Sequence, residues 1–198
     1  MRRLIKIKIL LNSYRLLLSY LVFKTSNEKN KILKDINRWN SIKDINESLY
    51  YSLAIYLLEY KEFRALFLYR LRKNKLSILI KILFPPLESL YIACDDIGGG
   101  LFIQHGFSTI IAAKSIGENC WINQQVTIGY TSDNNCPVIE DNVFIYAGAK
   151  VLGGIVLGKS SVIGAGAVVI NDVPENSLVA GVPAKIKKYY NEKEDSHE

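Results

Sequence analysis

The feature that most constrains this chain is a six-residue recurrence of aliphatic side chains in its C-terminal half. From Ile97 onward an Ile, Val or Leu returns every six positions, with a one-residue slip after Ile103 and a longer interruption after Ile128. A period of six matches neither an isolated helix nor a flat strand, but it fits a parallel β-solenoid of stacked coils. Each repeat is expected to send one aliphatic side chain inward. The predicted inward column is Ile97, Ile103, Ile110, Ile116, Ile122, Ile128, Ile139, Ile145, Val151, Leu157, Ile163 and Val169.

Glycine and charge divide the chain into two halves. All 13 glycines lie at or after Gly98. Residues 1–90 carry 18 Lys/Arg and 7 Asp/Glu, a net charge of +11, whereas residues 91–198 carry a net charge of −5. The composition therefore predicts a helical N-terminal domain over 1–90, a solenoid domain over 91–188 and a charged, flexible tail over 189–198. The predicted fold class is α+β.

The N-terminal half has the pattern of helices. Apolar residues recur at threes and fours over 41–73, which predicts a helix that buries one face. A second, short helix is expected over 77–84, where Pro85-Pro86 ends it, because proline lacks an amide hydrogen and disfavours helix in the residue before it.

Residues 1–24 are apolar but contain six basic residues, so no uncharged run reaches the ~18–20 residues that span a bilayer. Two interpretations stay open. The segment is a basic amphipathic surface that makes peripheral contact with the inner face of a membrane. Alternatively, it is a helix buried against its own domain or a neighbouring subunit, with lysines directed outward. Nucleic-acid binding is not expected, since no motif accompanies the basic residues.

Cysteine and histidine usage excludes several kinds of site. The three cysteines are odd in number and lack metal-like spacing, which argues against a disulfide framework and favours a reducing, cytoplasmic compartment. The two histidines, His105 and His197, are too few for a three-histidine metal centre, so no metal is expected.

Residues 97–185 resemble the hexapeptide-repeat acyltransferases, whose repeats wind a left-handed β-helix. The resemblance rests on five segments and is closest to the serine-acetyltransferase-like branch, in which a helical domain also precedes the solenoid. Two short motifs, Gln-His-Gly-Phe at 104–107 and Ile-Gly-Tyr-Thr at 128–131, further resemble bacterial acetyltransferases of surface-polysaccharide and capsule pathways. The five segments are 97–105, 126–129, 147–153, 163–169 and 180–185.

The resemblance implies a mechanism and a set of site residues. His105 would be the general base that takes the proton of an acceptor hydroxyl attacking acetyl-CoA, and imidazole suits this role because its ordinary pKa lies near neutrality. Acetyl-CoA would lie in a groove between the solenoids of a homotrimer. The alternative is that His105 and the small residues only form solenoid corners. The implied donor-binding residues are Gly129, Tyr130, Ala147, Gly148, Ala165, Gly166 and Lys185.

Three positions depart from the serine-acetyltransferase pattern. Gln104 stands where that branch has an aspartate before the histidine, and Cys136 stands where it has a histidine before a proline. A second aspartate of that branch, farther upstream, corresponds to a position near Leu90 in this chain and is absent. In that branch these groups bind or orient the amino acid, so their absence leads to the expectation of a different acceptor.

The expected function is therefore an acetyl-CoA-dependent O-acetyltransferase acting on a sugar or polysaccharide precursor. Gln104, Asp96 and Phe107 are the expected substrate-binding residues. Asp96, like Asp95, would either orient His105 or form a turn. The alternatives are a serine O-acetyltransferase and a non-catalytic solenoid scaffold.

Overall fold

The computed structural model describes residues 2–132 and 135–190 and divides into two compact units between Glu88 and Ser89. Within the described residues, six helices are followed by a parallel β-solenoid of about five coils. This arrangement confirms the predicted fold class. No helix in the described part of the chain is long and apolar enough to cross a bilayer.

The helical unit contains two short breaks that the sequence pattern does not reveal. The prediction of one helix over 41–73 is wrong: Asp44 adopts a left-handed conformation (φ 50°) that ends α3, and Tyr60 is extended between α4 and α5. Apolar spacing continues across both breaks because the helices on either side bury residues in the same unit. The short helix before Pro85 is confirmed. The helices are α1 (Arg2–Leu11), α2 (Ser13–Thr25), α3 (Lys29–Lys43), α4 (Leu49–Glu59), α5 (Lys61–Arg70) and α6 (Ser77–Leu83).

A cluster of aromatic rings forms the centre of the helical unit. The Trp39 ring meets Tyr56 and Phe63 edge-on, with centroids 5.5 and 5.1 Å away. Burial raises the pKa of Tyr56, whose hydroxyl donates to Asn40 Oδ1 at 2.7 Å. Because the phenol keeps its proton, it can donate this hydrogen bond to the half-buried side chain of Asn40.

One buried ion pair joins α3 to the end of α5. Arg70 Nε lies 2.9 Å from Asp35 Oδ2 and Arg70 Nη2 lies 3.1 Å from Asp35 Oδ1, so the guanidinium binds the carboxylate with two parallel hydrogen bonds. Both side chains are almost fully buried. Two charges removed from water in this way depend on each other, since either one alone would be buried without compensation.

The solenoid strands form three sheets. The strands are β1 (Leu90–Ile92), β2 (Asp96–Ile97), β3 (Phe102–Ile103), β4 (Thr109–Ile111), β5 (Ser115–Ile116), β6 (Trp121–Ile122), β7 (Thr127–Gly129), β8 (Val138–Ile139), β9 (Phe144–Ile145), β10 (Lys150–Leu152), β11 (Val156–Leu157), β12 (Val162–Ile163), β13 (Val168–Val169), β14 (Ser177–Ala180) and β15 (Lys185–Tyr189). The sheets are β1-β4-β7-β10-β13, β2-β5-β8-β11 and β3-β6-β9-β12-β14-β15. Up to β13 every third strand pairs, and β14 and β15 complete the third sheet. All pairings are parallel except β14 with β15.

The register between coils explains the interruption after Ile128. Lys150 pairs with Val168, 18 positions later, so a regular coil consists of three six-residue repeats. Thr127 pairs with Lys150, 23 positions later, so this coil holds five additional residues. They lie in the loop over 130–137, between β7 and β8. Asp133 and Asn134, which belong to this segment of the sequence, lie outside the described residues.

The inward column is confirmed at eleven of the twelve predicted positions, all of which are nearly or fully buried. The exception is Ile110, which is 44% exposed, whereas Ile111 is fully buried and pairs with the inward-facing Ile128. The next inward residue after Ile103 is therefore Ile111, one position later than predicted.

The last strand among the described residues leaves the repeat pattern. β15 is exposed along its length and runs antiparallel to β14. Tyr189, the first residue of the predicted tail, is the last residue of this strand, and residues 191–198, with His197, lie outside the described part of the chain.

Candidate functional site

The corner that contains His105 interrupts the regularity of the solenoid. It runs from residue 104 to residue 108, between β3 and β4. Ile103 pairs with Ile122, 19 positions later, whereas Ile111 pairs with Ile128, only 17 positions later. The first coil therefore holds two more residues at this corner than the second coil does.

The backbone at His105 adopts a conformation that is uncommon for a residue with a side chain. Its φ is 64°, and the amide of Gly106 donates to the carbonyl oxygen of Gln104 at 2.8 Å. A hydrogen bond between residues two apart makes a γ-turn centred on His105, a strained form when φ is positive. Such strain persists where the surrounding structure imposes it, and it concentrates at functional sites.

The imidazole of His105 is exposed and has one side-chain neighbour recorded at hydrogen-bonding distance. Gln104 Nε2 lies 3.2 Å from His105 Nε2. An amide that donates to this nitrogen requires the neutral ring to carry its proton on Nδ1. Phe107 lies at the same corner with 43% of its surface exposed. The structure therefore brings together three sequence-predicted residues, Gln104, His105 and Phe107.

Four corners stack to form one edge of the solenoid, which we call the entry edge because each corner precedes a strand of the five-stranded sheet. The predicted donor-binding residues Ala147, Gly148, Ala165 and Gly166 all lie on it. The Gly166 amide donates to the carbonyl of Ala147 at 2.9 Å, and the Gly148 amide donates to the carbonyl of Gln124 at 3.1 Å. The corners are 104–108, 123–126, 146–149 and 164–167.

The entry edge offers exposed backbone with little side-chain cover. A Cβ built on Gly166 would meet no atom within 4 Å, and one built on Gly148 would meet only Gly166, at 3.8 Å. Packing within the chain thus does not require glycine at either position, although their φ values of 66° and 75° favour it. The open backbone leaves space for a ligand against the entry edge.

Lys185 lies at the far end of the same edge. The turn before it is attached to the last repeat, since the Ala184 amide donates to the carbonyl of Val168 and the Val168 amide donates to the carbonyl of Gly181. Four coil steps of about 4.8 Å separate this turn from the His105 corner, a distance of about 19 Å. The entry edge thus carries the histidine at one end and an exposed cation at the other.

Lys150 and Gln124 also lie at this edge, and the sequence pattern did not select them. The Lys150 ammonium donates to the carbonyl of Gln125 at 2.8 Å. Gln124 Oε1 is buried and has no hydrogen-bond partner among the described residues. Lys150 lies inside the small-residue segment 147–153. A cation in that segment was the sequence feature that could have pointed to Lys150 as a site residue.

Gly129, Tyr130 and Asp96 do not join this edge. They lie beside corners that follow strands of the five-stranded sheet, which we call the exit edge (93–95, 112–114, 130–137 and 153–155). The strands of this sheet run parallel, so the two edges lie on opposite sides of it, separated by about 10 Å of three-residue strand. Asp96 starts β2 and is therefore neither beside His105 nor in a turn.

The cysteines occupy two environments. Cys120 is buried, and its thiol donates to the carbonyl of Glu140 at 3.1 Å, whereas Cys136 is half-buried in the loop after β7. Among the described residues, no group of three or more His, Cys, Asp or Glu side chains is placed to hold a metal ion.

Comparison with known proteins reveals the relatives of this solenoid. Residues 136–171 match the model of the family described as "Bacterial transferase hexapeptide (six repeats)". A solved serine acetyltransferase in complex with CoA is 31% identical, with a TM-score of 0.64, and the match covers 85% of this chain and 73% of that one. The chain belongs to the hexapeptide-repeat transferase family.

Two other members of this family are similar. The serine acetyltransferase of Neisseria gonorrhoeae, solved in complex with serine, is 25% identical with a TM-score of 0.65, and the match covers 84% of this chain and 72% of that one. A serine acetyltransferase of Synechococcus elongatus is 37% identical over 143 residues, which are 66% of this chain and 58% of the relative. The chain spans about half the length of the curated relatives it matches.

These relatives overturn one expectation from the sequence. The prediction of a sugar or polysaccharide acceptor, and with it the assignment to a capsule pathway, is wrong, because the matching proteins and structures are serine acetyltransferases. The three departures, at Gln104, Cys136 and Leu90, therefore occur in a chain whose relatives are serine acetyltransferases, the function that the sequence analysis gave as an alternative. A departure at a few positions is therefore weaker evidence on the acceptor than similarity over most of the chain.

Proposed function

We propose that this protein is an acetyl-CoA-dependent serine O-acetyltransferase with His105 as its general base. The observation that carries the proposal is the placement of the exposed imidazole in a strained corner, at the head of an edge with open backbone. The names of the relatives support the acceptor, and the CoA and serine complexes among the solved structures support the two substrates.

The reaction is a direct acyl transfer. The serine hydroxyl oxygen attacks the thioester carbonyl while His105 takes the hydroxyl proton. The carbon–sulfur bond then breaks, and the imidazolium returns the proton to the departing CoA thiolate, so the products are O-acetylserine and CoA. A positioned general base contributes about 10²–10⁴-fold to the rate, and holding both substrates together contributes further.

The donor would lie along the entry edge. Its pantetheine arm would hydrogen-bond to the backbone near Gly148 and Gly166, where no side chain intervenes, and its phosphates would meet Lys185. Charge-assisted hydrogen bonds from an ammonium suit phosphate oxygens. The thioester would then lie at the His105 end of the edge.

Gln104 would control access to the base. Its amide occupies His105 Nε2 at 3.2 Å, so a serine hydroxyl that reaches this nitrogen must displace it. Removing the amide by Gln104→Ala should therefore lower the KM for serine more than it changes kcat. Phe107 would form one wall of the acceptor site.

A homotrimer would complete the site. Gly129 and Tyr130 lie on the exit edge, about 10 Å across the five-stranded sheet from His105. If they contribute to the same donor site, a neighbouring solenoid must bring its exit edge against the entry edge of the first. Such an arrangement repeated by threefold rotation closes into a trimer with three equivalent sites.

The proposal is tested by thiol release from acetyl-CoA. The purified protein should release CoA when L-serine is added and not in its absence, and His105→Ala should lower the serine-dependent release by about 10²–10⁴-fold. Asn142→Ala is the matched control, because Asn142 has a φ of 58° at another corner. A folded protein without serine-dependent release would overturn the proposal.

A further inference from the structure

The N-terminal segment has both a buried and an exposed apolar face. Leu16, Val22 and Phe23 of α2 are buried in the helical unit. The opposite face of α1 and α2 carries a second apolar stripe, whose members recur at threes and fours and are 47–73% exposed. We call this stripe the α1–α2 patch; it consists of Leu4, Ile7, Leu10, Leu11, Tyr14, Leu17 and Leu21.

A neighbouring element adds to this apolar surface. On and just before α6, four aliphatic side chains are 41–71% exposed, namely Leu76, Ile78, Leu79 and Ile82. The Arg15 guanidinium of α2 lies 4.3 Å from the centroid of the Phe84 ring, which follows α6, so the two elements are close. Soluble proteins rarely leave this many large apolar side chains exposed together without a partner.

The charged residues that α1, α2 and α6 themselves carry are all basic. The chain has no Asp or Glu before Glu28, and none between Glu62 and Glu88. Lys6, Lys8 and Lys24 are exposed on α1 and α2, Lys81 is exposed on α6, and Lys75 is exposed just before α6. Only Lys8 among these five has an ion pair recorded, with Glu59 at 2.8 Å.

We propose that the α1–α2 patch binds an anionic membrane surface. A helix with apolar residues on its outer face and lysines beside them inserts those residues at the headgroup boundary, while the lysines attract anionic lipid. A second copy of this chain fits less well, because a twofold contact would press a predominantly basic surface against itself. The proposal does not rest on the proposed function.

The test is cosedimentation of the full-length protein with vesicles. We expect binding to vesicles of equimolar phosphatidylcholine and phosphatidylglycerol, weaker binding at high salt, and little binding to phosphatidylcholine alone. Leu10→Glu combined with Leu17→Glu should lower the bound fraction about tenfold or more. Ile170→Glu is the matched control, since Ile170 is 51% exposed on the solenoid and should leave binding unchanged.

Two results would overturn the proposal. The first is absence of binding to the anionic vesicles, or equal binding to both kinds. The second is a lower molecular mass of the Leu10→Glu/Leu17→Glu protein without lipid, which would show that a second copy covers the patch. Serine-dependent thiol release with soluble substrates should be unchanged in this variant, so the two proposals fail independently.

Discussion

The helical unit and the solenoid bury their apolar side chains in different ways. In the helical unit a few large groups make specific contacts: the Trp39 ring meets Tyr56 and Phe63, and Asp35 pairs with Arg70. In the solenoid one aliphatic side chain per six residues fills a column in which every position resembles the next. The stability of the solenoid is therefore spread over many equivalent contacts, and the proposed general base, His105, lies where the repetition is interrupted.

The largest effect, on the rate of the proposed reaction, is expected at the His105 corner, where the repeat is interrupted. His105→Ala should lower serine-dependent thiol release by about 10²–10⁴-fold and leave the free energy of unfolding nearly unchanged, because the imidazole is exposed. Steady-state rates and chemical unfolding measure the two quantities. If the variant kept most of its rate, the proposal that the irregular corner holds the general base would be contradicted.

The second effect tests how far the stability of the helical unit depends on the Asp35–Arg70 ion pair. Asp35→Ala leaves the Arg70 guanidinium buried without its carboxylate and should lower the free energy of unfolding by about 3–5 kcal/mol. Denaturant titration followed by Trp39 fluorescence in a Trp121→Phe background reports on this unit. Replacing both partners, by Asp35→Leu and Arg70→Met, should recover most of the loss; no recovery would contradict the account given for the pair.

The third effect tests the register of the inward column. Ile111→Ala should cost about 2–5 kcal/mol, since it leaves a cavity between buried neighbours. Ile110→Ala, the matched control, should change the free energy of unfolding by less than about 0.5 kcal/mol, because the side chain faces outward. Denaturation followed by circular dichroism distinguishes them, and the reverse order would show that Ile110 faces inward.

The smallest effect concerns the close approach of backbone between coils. A Cβ on Gly98 would lie 2.6 Å from the carbonyl carbon of Gly117, so Gly98→Ala should cost about 1–3 kcal/mol through overpacking. Gly129→Ala should cost less than about 0.5 kcal/mol, as its nearest contact would be 4.0 Å away. Equal midpoints of thermal unfolding for the two variants would contradict tight stacking at Gly98.

The helical unit and the solenoid also differ in how much of their structure could be predicted from the sequence. The repeat predicted the solenoid and eleven of its twelve inward residues, because each position is dictated by its own local environment. The helical pattern over 41–73 missed the breaks at Asp44 and Tyr60, since apolar spacing of threes and fours carries no sign of where a helix bends back. For the site, His105 stood out as the only histidine outside the tail, whereas Lys150 and Gln124 had no signal strong enough to select them.

By itself the sequence determined the solenoid, because a six-residue period permits only a chain that turns after every short strand. It also determined the contrast in charge and glycine between the two halves. Only the tertiary structure decided that Ile111 rather than Ile110 faces inward, and that Gly148 and Gly166 share an edge with His105 while Gly129 and Asp96 do not. These outcomes depend on the register between coils 17 to 23 residues apart, which is set by hydrogen bonds between strands that are distant in the chain.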